Sequence, residues 1–124
     1  MNPESLALLS AIGDCHGKLR DHAIRLRDRP AVREATHVCD MPALGGAFRV
    51  EEFVDAELGS GDAICWFLEV TITADGVTVE ADVRRVHSQG QDLLVGIAEC
   101  RYTVGEAARA LPEITQRLCS AAPV

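Results

Sequence analysis

Chemistry in this sequence would first be sought among its histidines and cysteines. Cys15-His16, His22 and His37-x-Cys39 place five potential metal ligands within 25 residues of a 124-residue chain. Zinc takes nitrogen and sulfur donors of this kind, but the intervals match no structural zinc pattern, in which ligand pairs recur at fixed short spacings. His16 falls on an apolar helical stripe and cysteine is among the most buried residue types, so a core role is the simpler expectation. No metal and no cofactor are expected. A Gly-x-Ser-x-Gly elbow is absent from the sequence, and Cys15 and His16, adjacent on a helix, point apart. Gly59-Ser60-Gly61 precedes a strand and not a helix N-terminus, so it is no phosphate loop. No residue is assigned a catalytic role.

A second candidate is a cleft. Trp66 and Arg85 are expected opposite one another on the inner face of a sheet, with Glu52 two rows away and Tyr102 near the far end. Charged residues on an otherwise apolar face either reach solvent at the rim or supply the polar contacts of a ligand site between sheet and helix.

The elements that must hold these residues follow from periodicity. Asn2 can cap a helix whose first position is Pro3, where no N–H is needed. Leu6, Leu9, Ile12, His16, Leu19, Ala23 and Leu26 then recur at steps of three and four, a long helix ending near Arg29-Pro30. Residues 30–46 show no period and read as a loop, with room for a helical turn at 31–34. From Ala47 the period becomes two over 47–58, 63–74, 77–87 and 92–104, with hairpin chemistry at Gly59-Ser60-Gly61-Asp62, Asp75-Gly76 and Gln89-Gly90. After Gly105, Ala107, Leu111, Ile114 and Leu118 predict a second helix, kinked or restarted at Pro112. The expected fold is α+β: one domain over residues 1–124, built as a long N-terminal helix, a four-stranded antiparallel meander in the order 1-2-3-4, and a C-terminal helix.

Taken as two-residue turns, Asp75-Gly76 pairs Ile72 with Val79 and Gln89-Gly90 pairs Ala81 with Ala98. An odd loop in the first hairpin pairs Val54 with Leu68. All three put the apolar residues on one inner face, where small Gly96, Ala98, Ala81 and Cys100 leave room for the helices.

The opposite face carries the functional expectation. Twelve Lys and Arg against 19 Asp and Glu give a net charge of −7, and aromatics are 4 % of the chain. Phosphate binding and base stacking are poorly served by that balance, so nucleic acid is excluded as a partner. Between Arg49 and Arg84 stand nine acids and no base, whereas Lys18, Arg20, Arg25, Arg27, Arg29 and Arg33 gather on and after the first helix. Glu51, Phe53, Asp55, Glu57, Phe67, Glu69, Glu80 and Asp82 are expected outward, with Glu69 opposite Asp82. Acids interleaved with aromatics suit a basic protein partner. Val86, Leu93, Val95 and Ile97 form an outward apolar strip for that partner or for a second copy in a homodimer.

The expected function is therefore non-enzymatic: an acidic module that binds and neutralises or chaperones a basic protein. Bacterial immunity proteins and secretion chaperones are analogues in fold type and charge alone. The alternative is a small-ligand-binding domain or enzyme using the Glu52, Trp66, Arg85 and Tyr102 cleft. A third option is a homodimer that buries its sheet faces. Met1-Asn2-Pro3-Glu4 lacks a basic leader, and the longest uncharged stretch, Ser5 to Gly13, is half a membrane span. Five scattered cysteines (Cys15, Cys39, Cys65, Cys100, Cys119) form no disulfide framework. A cytoplasmic protein with reduced thiols and no membrane contact is expected.

Overall fold

Asn2 and Pro3 start the first helix as their chemistry requires, the Asn2 Oδ1 accepting from the Ser5 N–H at 2.8 Å. The computed structural model describes residues 2–123, the side chains of Ala43 and Leu44 excepted. Helix α1 (Pro3–Leu26) is followed by strands β1 (Val32–Asp40), β2 (Ala43–Leu44), β3 (Ala47–Leu58), β4 (Ala63–Thr73), β5 (Gly76–His87) and β6 (Gly90–Tyr102), then by helix α2 (Val104–Ser120). The fold is α+β, with an antiparallel sheet between an N-terminal and a C-terminal helix. Five long strands lie in the order β1-β3-β4-β5-β6, and the two-residue β2 pairs with β3. No described helix is long and apolar enough to cross a membrane.

The four-stranded expectation is corrected by β1, which occupies the segment read as a loop. Two features hide its period. A bulge between Val32 and Glu34 resets the alternation, and the residues it then turns inward are Ala35, His37 and Cys39, of which only one is aliphatic.

Parity holds on the first three of the expected strands while two registers move; the β5–β6 register is the expected one from Val77–Tyr102 to Ala81–Ala98 and changes beyond a bulge there. Val54 pairs with Trp66, not Leu68, and Ile72 with Val77, not Val79. The β4–β5 turn is Ala74-Asp75, because Gly76 already belongs to β5. It stands at φ +142°, and a Cβ there would sit 2.9 Å from the Tyr102 carbonyl oxygen on the neighbouring strand, so only glycine fits. A slip of two residues preserves the face, whereas a slip of one would not. Five residues, 58–62, lie between the last β3–β4 pair, Glu57 and Ala63, the odd number expected, with Gly61 at φ +95°.

Both helices pack on the inner face, where Leu19, Trp66, Leu68, Val79, Leu111 and Leu118 meet in one core. The second half of the expected α1 stripe, Leu19, Ala23 and Leu26, is buried, but the first half is rotated. Leu6 and Leu9 are exposed, and Leu8, Ala11 and Cys15 are buried instead, because α2 lies alongside and draws that face under it. The contact is specific: Thr115 Oγ1 donates to Cys15 Sγ at 2.8 Å. α2 starts at a Thr103–Glu106 capping box and runs through Pro112 without a break, against the expected restart.

His22, and not His16, is the core histidine. Its ring meets Trp66 edge-on at 4.9 Å, and its Nε2 is buried with no partner. Burial, with Arg25 and Arg29 adding repulsion, lowers its pKa from 6.5 to about 4. The unfolded chain takes up this proton as pH falls below about 6.5 and the folded chain only near 4, so the stability that neutral His22 supports is present above 6.5 and lost on the way down to 4. In urea unfolding, the loss between pH 7 and pH 4.5 should be smaller in His22→Leu than in the wild type by about 1–2 kcal/mol. Equal losses would show that His22 is protonated freely in the fold.

Candidate functional sites: an acidic sheet face and a His–Cys–Glu cluster

Pairing across all five long strands puts Asp40, Glu51, Glu69, Glu80 and Glu99 in one continuous row on the outer face. Val38, Phe53, Phe67 and Asp82 form the next row, and the two phenyl rings stand 5.2 Å apart. Among the described residues no helix covers this face. Glu51, Phe53, Asp55, Glu57, Phe67, Glu69, Glu80 and Asp82 all lie on it, as expected, but Glu69 faces Glu51 and Glu80 and not Asp82. A concavity of about 450 Å³ opens between Phe53, Phe67, Glu69 and Glu80.

Compensation within the face is partial. Arg49 lies 3.5 Å from Glu69 and 3.9 Å from Glu51, and Arg84 pairs with Asp82 at 2.9 Å. Burial pushes the Glu69 carboxyl up, and Glu80 and Glu51 push it further against the opposing effect of Arg49. Asp40 at the β1 end of the row escaped sequence reasoning because its strand did.

The apolar strip is redistributed by two bulges in the β5–β6 pairing, between Ala81 and Asp82 and between Val83 and Arg84. Leu93, opposite Arg84, and Val86 keep the outer face, but Val95 pairs with the core residue Val83 and Ile97 is buried in the core. The outward placement of Val95 and Ile97 is corrected accordingly. Leu93, Leu94 and Val95 remain exposed along the β6 edge.

The expected cleft residues separate. Trp66 is wholly buried, its Nε1–H donating to the Ala121 carbonyl at 2.9 Å, and it pairs with Val83 rather than facing Arg85. Arg85 binds Asp62 at 2.8 Å, and Tyr102 pairs with Val77 at the far end of the sheet.

Glu52 instead gathers the chemistry. On the inner face it lies directly opposite Cys39, with His37 two residues along β1 and His16 above on α1. His16 Nδ1 stands 3.0 and 3.1 Å from the two carboxylate oxygens, and His37 Nε2 stands 2.5 Å from Oε1. An ionised carboxylate only accepts, so each contact with it calls for an imidazole N–H as donor. Loss of solvent, with the Glu52 carboxylate nearby, pushes the Cys39 thiol up to about 12. Glu52 is 2 % exposed, whereas the His16 side chain is 44 % exposed, so the cluster is buried at its base and open at one side. The donor atoms of His16, Cys39 and Glu52 lie within 4.8 Å of one another, a set able to hold a cation. Of the five ligands considered from sequence, Cys15 and His22 are elsewhere in the core, and Glu52 was not among them.

Compared with known proteins, the chain matches no family model, no curated protein and no solved structure at a significant level.

Replacing Glu52 by Ala removes the acceptor of both imidazoles and leaves space beneath α1. Urea unfolding should register a loss of about 2–4 kcal/mol, against about 0.5 kcal/mol or less for Glu51→Ala on the wet face. A Glu52→Ala variant as stable as the wild type would mean that the cluster contributes nothing to the packing of α1 on β1 and β3.

Proposed function

We propose that this protein is a non-enzymatic binding module whose outer sheet face takes a basic protein and neutralises or chaperones it. The observation that carries this reading is the row Asp40, Glu51, Glu69, Glu80 and Glu99 on an uncovered face. Like charges opposite one another cost a few tenths of a kcal/mol or more per pair. A chain gains nothing by aligning them for its own stability, and a cationic surface laid over the row converts the repulsion into attraction. The breadth of the row suits a protein, and the Val38, Phe53 and Phe67 row supplies the apolar contacts that a small cation would not use. Five free cysteines support action in the reducing cytoplasm.

Double neutralisation separates this reading from a purely structural one. Glu69→Gln/Glu80→Gln should raise stability by about 0.5–1 kcal/mol while losing the partner. Tagged wild type and variant, expressed in the native host, should differ in one retained basic protein that is released from the wild type by moderate salt. Identical retained proteins, or a partner indifferent to salt, would overturn the assignment.

Self-association belongs to the same reading as a homodimer through the β6 edge, supported by exposed Leu93, Leu94 and Val95 on a strand paired on one side only among the described residues. Face-to-face stacking would oppose two acidic rows. Sedimentation should give a dimer for the wild type without its partner and a folded monomer for Leu93→Asp; a wild type that is monomeric at high micromolar concentration removes the dimer.

A further inference from the structure

We propose that His16, Cys39 and Glu52 form a binding site for a borderline-soft divalent cation, zinc before others, with His37 holding Glu52 in place. The site is independent of the acidic row, which lies on the opposite side of the sheet.

Three separate elements bring these donors together. β1 contributes His37 and Cys39 at i and i+2, which alternation puts on the same face, β3 contributes Glu52 directly across from Cys39, and α1 lowers His16 onto the pair. The set comprises an imidazole nitrogen, a thiol sulfur and a carboxylate oxygen. Calcium and magnesium take oxygen ligands, so this set selects against them, whereas zinc accepts all three donor types. In a tetrahedral zinc site with bonds of about 2.0–2.3 Å the donor atoms stand about 3.4–3.7 Å apart. The observed spread of up to 4.8 Å closes with rotation of His16 and Cys39, the two more exposed members.

Glu52 supplies the reason for a cation at this place. Its carboxylate is buried on a face otherwise given to core packing, with two imidazoles in hydrogen-bond contact and the Cys39 thiol within 4.8 Å. On binding, His16 Nδ1 gives up its contact as an N–H donor and coordinates through its lone pair, the second ring nitrogen carrying the proton. Cys39 coordinates as thiolate, its proton passing to the buffer. His37 keeps its N–H on Glu52, the outer-shell arrangement that orients a ligating carboxylate. With three protein ligands the fourth position faces the open side beside His16 and admits water.

Cobalt(II) is the direct probe. The full-length chain, freed of metal by chelator and kept reduced, should bind a single equivalent, with the visible bands of tetrahedral cobalt and a near-ultraviolet thiolate-to-cobalt band. Zinc should displace the cobalt and raise the melting temperature. Cys39→Ser should abolish the thiolate band and Cys39→Ser and His16→Ala should each weaken zinc by 100-fold or more, and His37→Gln should weaken it by about 10- to 100-fold. Cys65→Ser and His22→Leu should bind as the wild type does. His16 and Cys39 are exposed enough for their variants to fold, which circular dichroism checks independently of metal. Absence of stoichiometric binding by the wild type, or equal affinity in folded Cys39→Ser and His16→Ala, would overturn the site and leave a hydrogen-bonded cluster only.

Discussion

Both helices lie on one face of the sheet, so each strand must sort its residues by parity between a dry side and a wet side. The core of Trp66, Leu68, Val79 and Val83 exists because that sorting is obeyed on the three central strands. It also explains why the wet side is at liberty to carry a row of carboxylates: nothing on that side has to be apolar for the chain to fold. The charge pattern is a surplus that the architecture permits, which is why it bears on function rather than on fold.

One residue breaks the sorting. Glu52 has dry parity and a charged carboxylate, a placement that is costly unless donors converge on it. Its partners come from the neighbouring strand and from the helix above, so α1 is fixed over β1 and β3 by polar contacts as well as by Leu19 and Ala23. Next to His16 in sequence, Cys15 makes a second polar contact of α1, accepting from Thr115 on α2. One turn of the helix is thus held from two sides, by the sheet and by α2, and Leu19 on the next turn is wholly buried.

Legibility in the sequence tracked how far each element obeyed the common rules. The central strands and both helices could be read because aliphatic residues recur with the right period, and the inner face survived wrong registers because the errors were of two residues. β1 could not be read, since its inward positions are taken by the polar cluster and its alternation is reset by a bulge. The residues that make the segment chemically interesting are the same ones that removed its strand signature. His16 and His22 exchanged roles for a related reason: the stripe chosen for α1 ignored the demand of α2, which a single helical period does not express. Val95 and Ile97 were misplaced by bulges, and no residue type in β6 announces them.

Segregation of charge has a further physical meaning. The sheet carries the acids on its bare side, while Lys18, Arg20, Arg25, Arg27 and Arg29 ride on α1 and just after it, across the thickness of the fold. Glu4, Asp14, Asp21 and Asp28 nearly balance those bases, so the net negative charge of the molecule sits on the sheet side of the fold. The field of a charged surface exerts a torque on such a body within about a Debye length, so it turns before it touches. Near a cationic surface it arrives sheet first, and near an anionic one helix first. Orientation, and not only attraction, is written into the arrangement of the layers.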